Sequence, residues 1–211
     1  MIALAITLTA VAGYVDAVGY LVLAHVLTAN MSGNTVALGR AIVEHDWPVL
    51  MRNGSAIALF VAGALISRIT IDAARRRFVR SIDAFLFLTE AVLLGVFWLA
   101  GSAGASFLLL LALASMAMGL QNATITKFGA LTVRTTHVTG TVSEFAEKFA
   151  EVLVGRDGGN GKQAIELASL WLAYAVFAGF GAAAQLQWGL ASLSVPIGII
   201  VIVSIAVFAL R

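Results

Sequence analysis

The sequence predicts an all-α integral membrane protein, and its composition, hydropathy and segment lengths all indicate that class. Apolar residues make up 61% of the 211-residue chain and charged residues 11%, whereas soluble domains carry about 25% charged residues. The mean hydropathy is +0.99. Six apolar segments are long enough to cross a bilayer, which takes about 20 residues. They lie at 3–27, 49–70, 82–100, 105–127, 164–186 and 190–210. We therefore expect one membrane domain, 1–211, with six transmembrane helices.

Two polar breaks interrupt the apolar pattern, and each is followed by a shorter helical pattern. The first break covers residues 28–35 (TANMSGNT) and the second covers residues 135–142 (TTHVTGTV). The short helices that follow are predicted at about 32–45 and 140–154, and neither has the apolar length of a span. Backbone that leaves a helix at membrane depth must line a cavity or be buried in protein. Both breaks are therefore predicted to begin short, re-entrant helices.

The placement of positive charge predicts one orientation in the membrane. The loop at 68–83 carries five arginines and is predicted to be cytoplasmic, whereas the turn at 101–104 is uncharged and is predicted to be external. Trp47, Trp98 and Trp188 then all lie at the outer boundary, as in an aromatic belt. This orientation puts the N- and C-termini in the cytoplasm. The first break enters from outside and the second from inside.

The same orientation predicts that the halves 1–104 and 105–211 form a 3+3 inverted repeat. Small and polar residues recur between them at nearly constant offsets. An offset of 106 takes Gly13, Asp16 and Ala17 to Gly119, Asn122 and Ala123. An offset of 107 takes Thr28, Asn30, Ser32, Gly33 and Asn34 to Thr135, His137, Thr139, Gly140 and Thr141. Coincidence among residues common in membrane helices is the alternative, and the agreement with the charge pattern favours the repeat.

A carboxylate in the first span has the strongest functional signal. Asp16 shares a helix face with Gly13, three residues before it, and Tyr20, four residues after it. A charged residue in a span costs about 2.5–3.5 kcal/mol on insertion scales and normally marks a substrate or proton pathway. We expect Asp16 to be the coupling or gating acid, and the alternative is a buried structural hydrogen bond. Glu90 and His137 are further candidates for proton coupling.

Each break is also the predicted start of a helix, where the exposed backbone N–H groups can bind a ligand. Ser32 and Thr139 are the predicted N-caps, and the free N–H groups and dipole of each short helix favour an anion or a carbonyl group. The alternative is that the polar side chains only satisfy the broken backbone. The predicted substrate-binding residues are Asp16, Tyr20, Asn30, Ser32, Gly33, Asn34, Gln121, Asn122, His137, Thr139, Gly140 and Thr141.

The sequence has no pattern typical of an enzyme or a cofactor-binding protein. It contains no cysteine, no zinc-ligand spacing, no nucleophile–base–acid set and no basic nucleic-acid patch. Residues 155–162 (GRDGGNGK) fail as a phosphate loop, because the first required glycine would fall on Arg156. We expect no enzymatic activity, cofactor or metal. The expected partners are a small-molecule substrate and membrane lipid, with a homodimer possible.

Two motifs are similar to signatures of a known family. The first is GYVDAVGYLVLAHVLTANMSGNTV at 13–36, and the second combines GLQNA at 119–123 with TTHVTGTV at 135–142. With these motifs the chain resembles the YoaK-type family over essentially its whole length. The resemblance implies a six-span protein of the bacterial inner membrane, suspected of carrying small metabolites, with an unsettled substrate. It implies no catalytic residues.

These observations predict a secondary transporter of a small polar or anionic metabolite. The substrate would bind near the midplane between the two short-helix starts, with proton coupling through Asp16. Two alternatives stay open. A passive channel with re-entrant half-helices would conduct without saturation or response to a proton gradient. A non-transporting scaffold subunit would seal the breaks with side-chain hydrogen bonds and leave no cavity between Ser32 and Thr139.

Overall fold

The computed structural model describes residues 2–77, 81–124, 137–156 and 158–209, and in these residues the regular structure is helical, with no β-strand. A short 3-10 helix, Gly189–Leu193, separates the last two α-helices. In chain order the α-helices are α1 (Ile2–Val22), α2 (Met31–Glu44), α3 (Trp47–Arg76), α4 (Ile82–Ser102), α5 (Phe107–Thr124), α6 (Val138–Leu153), α7 (Asn160–Trp188) and α8 (Ser194–Ala209). The all-α class is confirmed.

Five helical segments in the described residues are long and apolar enough to cross a membrane. Four of them are α1, α3, α4 and α5, and the fifth is the continuous stretch Asn160–Ala209, which contains α7, the 3-10 helix and α8. The sequence predicts six spans because it divides this stretch near Trp188. A multi-pass membrane protein is therefore supported, and the sixth span stays a prediction.

The two predicted short helices are present as α2 and α6, and both begin slightly earlier than expected. Their N-cap residues are Asn30 and His137, so the prediction of Ser32 and Thr139 as N-caps is wrong. Ser32 and Thr139 instead lie within the first helical turn. There the Ser32 hydroxyl donates to Asn30 Oδ1 at 2.7 Å instead of accepting from a backbone N–H.

The helices pair in a pattern that is similar in the two halves of the chain. α1 packs chiefly on α7 and α3 on α5, while α2 packs on α3 and α6 on α7. Exchanging α1–α4 with α5–α8 reproduces these pairings, and α4 and α8 pack on each other. The correspondence is incomplete, because α4 packs more extensively on α5 than α8 does on α1. The inverted repeat, with halves 1–104 and 105–211, stays a prediction.

Glycines form the closest helix crossings. Gly13 and Gly181 face the partner backbone where α1 crosses α7, and Gly63 and Gly119 do so where α3 crosses α5. A Cβ atom at any of the four would overlap a backbone carbonyl oxygen of the facing helix. Small residues allow this close backbone approach between membrane helices. Gly13 and Gly119 are also related by the offset of 106.

Gly119→Ala is expected to force the α3–α5 crossing apart. The added methyl group would overlap the carbonyl oxygen of Phe60, which cannot rotate away because it is backbone. We expect a loss of about 1–3 kcal/mol in unfolding free energy, as for other overpacked cores, measured by chemical unfolding in detergent. Gly95→Ala in α4 is the matched control, since a Cβ atom there meets nothing within 4 Å. Equal stability of the two variants would contradict the close-crossing argument.

The buried core lies where α1, α4, α5 and α8 meet. One large cluster of buried apolar side chains joins these helices. Large apolar side chains on the outer faces are exposed instead, among them Leu65 of α3, Leu99 of α4 and Leu186 of α7. Exposed apolar faces of this kind suit contact with lipid.

Candidate functional site

One buried carboxylate fixes the chain between α1 and α2. Asp16 is 2% exposed. Its Oδ1 accepts from the N–H groups of Thr28 at 2.6 Å and Ala29 at 2.9 Å, and from the Thr28 hydroxyl at 3.2 Å. Its Oδ2 accepts from the Tyr174 hydroxyl of α7 at 2.6 Å. Four donors therefore occupy both oxygens, and the non-helical backbone of the first break is satisfied inside the protein.

A buried amide holds the same break from the other side. Asn34 of α2 accepts at Oδ1 from the Leu27 N–H at 3.0 Å, and its Nδ2 donates to the Leu27 carbonyl at 2.6 Å. The chain turns just before this point, where Ala24 and His25 have left-handed backbone conformations with φ of 50° and 64°. The side chains of Asp16 and Asn34 therefore hold the first break in place by hydrogen bonds to its backbone.

The described part of the second break begins with an exposed histidine, His137, at the start of α6. The His137 carbonyl accepts from the N–H of Thr141 at 3.1 Å and from its hydroxyl at 3.0 Å. The His137 ring lies against Gly140, where a Cβ atom would collide with it. Glycine therefore allows the imidazole to lie over the first turn of α6. Residues 135 and 136, which begin the predicted break, lie outside the described residues.

The starts of α2 and α6 open into one cavity of about 180 Å³. Its wall combines the first break, α3, the end of α5 and the start of α6. It is lined by Ala29, Asn30, Met31, Ser32, Phe60, Asn122, His137, Val138 and Thr139. These lining residues include no Asp, Glu, Lys or Arg. The volume is sufficient for several water molecules or a small metabolite.

Both helix starts at the cavity lack a capping side chain. The side chains of Asn30 and His137 accept from no backbone N–H of the first turn, and neither first turn contains an acidic residue. The free N–H groups and the dipole of each helix therefore favour negative charge, each by about 0.3–1 kcal/mol. Both helix starts therefore suit a negatively charged group in the cavity, and the described lining residues include no Lys or Arg.

Five of the twelve predicted binding residues line the cavity, and seven do not. The five are Asn30, Ser32, Asn122, His137 and Thr139. Three of the others, Gly33, Gly140 and Thr141, belong to the first turns of the short helices, and Asp16 and Asn34 hold the first break. Tyr20 lies against the His25 ring, with 4.8 Å between ring centroids. Gln121 is buried and its Nε2 donates to the Leu8 carbonyl at 3.0 Å.

The cavity wall also contains residues that were not predicted as binding residues. Ala29, Met31 and Val138 are apolar members of the two predicted breaks. Phe60 comes from the middle of α3, and an aromatic residue in an apolar span carries no signal that distinguishes it from a lipid-facing residue. Its role becomes visible only once α3 packs beside α5.

Glu90 and a group of charged residues on α6 lie away from the cavity. Glu90 is fully buried in α4. Glu144, Glu147, Lys148 and Glu151 follow one face of α6. There Lys148 Nζ lies 3.1 Å from Glu151 Oε2. This hydrogen bond raises the pKa of the Lys148 ammonium group. The pair is a local surface interaction, as expected for charges on one helix face.

Comparison with known proteins links the chain to one family. The model of the family described as "Protein of unknown function (DUF1275)" matches residues 4–206. The chain is 34% identical over 143 residues to the "UPF0700 transmembrane protein YoaK" of Bacillus subtilis (strain 168). The match covers 64% of this chain and 61% of that protein, which is less than two thirds of its length. No solved structure gives a significant match.

Proposed function

The chain belongs to the DUF1275 family, as its resemblance to YoaK-type proteins predicts, and from that premise we propose that it is a secondary transporter of a small organic anion. The anion would bind in the cavity between the starts of α2 and α6. One observation carries this proposal: two uncapped helix starts open into a single cavity, and its lining among the described residues contains no Asp, Glu, Lys or Arg. Helix N-termini of this kind are ready-made anion sites.

The lining chemistry favours a small monocarboxylate. A carboxylate can accept from the free N–H groups of either short helix, while Asn30 and Thr139 supply neutral side-chain donors. A cation would meet the positive ends of two helix dipoles. A multivalent anion would find no lysine or arginine among the described lining residues to balance its charge. The substrate class is therefore a small anion with one negative charge.

The proposed architecture is the six-span, inverted-repeat arrangement in a bacterial inner membrane, with both termini cytoplasmic. The helix pairing and the arginine-rich 68–83 loop support it. Four further cationic residues that bear on the orientation in the membrane lie outside the described residues, namely Arg80, Lys127, Arg134 and Arg211. Short helices whose N-termini point at an anionic group near the midplane occur in several transporters with inverted repeats.

Asp16 is assigned a positioning role in this proposal. The sequence predicts that it binds substrate and couples protons, but its two oxygens are occupied by the first break and Tyr174. It does not line the described cavity. An anion bound beside the first break would also be repelled by an ionised Asp16 if that carboxylate faced the cavity. The geometry therefore favours the alternative of a buried structural hydrogen bond.

The two alternatives make different predictions. A scaffold whose breaks are sealed would have no cavity between Ser32 and Thr139, and both residues line the one described here. A passive channel would conduct without saturation. Saturation of uptake therefore separates the channel from the transporter.

Uptake into proteoliposomes tests the proposal. We expect saturable uptake of radiolabelled lactate and no comparable uptake of lactamide, its neutral analogue of similar shape. Liposomes without protein measure passive leak. Uptake of lactate that rises linearly with concentration would favour the channel. Equal rates for lactate, lactamide and empty liposomes would exclude transport of this anion class.

A further inference from the structure

Glu90 is a buried acid with no hydrogen-bond partner. It lies near the middle of α4 and is 0% exposed, and neither Oε1 nor Oε2 has a partner among the described residues. An ionised carboxylate in such a place costs several kcal/mol, because neither donors nor a positive charge replace its hydration. The lack of donors and of a compensating charge therefore favours the protonated form of Glu90.

Three other buried side-chain oxygens of the described residues also lack a hydrogen-bond partner, namely Thr9 Oγ1, Ser115 Oγ and Gln121 Oε1. Leu86 of α4 and Leu120 of α5 belong to one apolar cluster of the antiparallel α4–α5 hairpin. Glu90 follows Leu86 by about one turn and Ser115 precedes Leu120 by about one turn. Glu90 and Ser115 therefore lie at the same level of the hairpin.

No charged group in the described residues compensates Glu90. The described parts of α5, α8 and the 3-10 helix contain no titratable residue. On α1, Tyr14 donates to the Ser192 carbonyl, Asp16 is held by the first break, and Tyr20 is exposed. Asp83 lies two turns away on α4 itself. The titratable residues of α3 are Arg52, Arg68, Asp72, Arg75 and Arg76, and none forms an ion pair with Glu90.

We propose that Glu90 is the residue that binds and releases the coupling proton. This inference rests on the proposed transport function. The O–H bond of its carboxyl group breaks, the electron pair stays on the carboxylate, and the proton passes to water on one side of the membrane. Release requires water to reach Glu90, so a helix packed on α4 must move, and in this proposal that helix is α5. Because α5 also carries Asn122 in the cavity wall, such a shift would change the substrate site in the same step.

Infrared difference spectroscopy tests proton binding directly, with the protein in liposomes and pH as the only variable. We expect a C=O stretching band of a protonated carboxylic acid that disappears when the buffer is changed from acidic to alkaline. Glu90→Gln should remove this band, and Glu90→Asp should shift it. Glu44→Gln is the matched control, since Glu44 is an exposed acid on α2. The same band in Glu90→Gln as in the unaltered protein would overturn the proposal.

A transport measurement separates coupling from a merely structural role. In Glu90→Gln we expect lactate exchange between equal pools to continue, because a neutral side chain still fits the core. Lactate accumulation driven by a proton gradient should fall to the level of empty liposomes. Accumulation that persists in Glu90→Gln would also overturn the proposal. If the unaltered protein moves no lactate, the transporter proposal fails, and the infrared band still decides whether Glu90 binds a proton.

Discussion

Asp16→Ala is expected to release the first break from α1 and α7. The change leaves the N–H groups of Thr28 and Ala29 and the Tyr174 hydroxyl without their acceptor in a buried site. Each unsatisfied group costs about 1–3 kcal/mol, so the total loss of stability should exceed about 3 kcal/mol. Tyr174→Phe removes one donor and leaves the backbone bonds in place. Its loss should be smaller, about 1–3 kcal/mol.

Cysteine labelling can detect the released break, because the chain contains no native cysteine. Ala29→Cys introduces a thiol at a residue that is 2% exposed. A membrane-impermeant maleimide should label it slowly in the otherwise unaltered protein and quickly when Asp16→Ala is added. Asp72→Ala is the control, since its pair with Arg68 is exposed and such pairs contribute about 1 kcal/mol or less. If Asp16→Ala is as stable and as slowly labelled as Asp72→Ala, Asp16 does not hold the break.

Asn30→Asp is expected to weaken anion binding without lowering the stability of α2. The change keeps the size of the side chain, and its Oδ1 can still accept from the Ser32 hydroxyl. A carboxylate at an N-cap position should leave stability unchanged or raise it by about 0.3–1 kcal/mol. The new charge lies in the cavity wall. Like charges at about 4 Å repel by several kcal/mol near a protein surface, so anion affinity should fall at least about tenfold.

Lactate uptake and thermal unfolding, measured on the same preparation, test this prediction. The apparent KM for lactate should rise in Asn30→Asp while Tm stays level or increases. Thr35→Asp is the control that adds the same negative charge, because Thr35 is exposed on the same helix and does not line the cavity. It should leave the KM unchanged. An unaltered KM in both variants would show that the anion does not bind at the start of α2.

Hydropathy and local spacing were sufficient to predict most of the fold. The apolar segments correspond to the long helices, and the two polar breaks are followed by α2 and α6, because helix formation and membrane insertion depend mainly on neighbouring residues. The helix starts were misplaced by one or two residues. Ser32 and Thr139 have N-cap chemistry, but backbone geometry begins each helix at the residue after Asn30 or His137.

The sequence by itself determined the membrane class, the family and the two short helices. Only the tertiary structure decided which five of the twelve predicted residues line the cavity and what surrounds Asp16, Phe60 and Glu90. Asp16 and Tyr174 are 158 residues apart, Phe60 reaches the cavity because α3 packs on α5, and Glu90 lacks a partner because of the helices around it. Spacing along a chain reports contacts within one helix, whereas partners across the bundle depend on how separate helices pack.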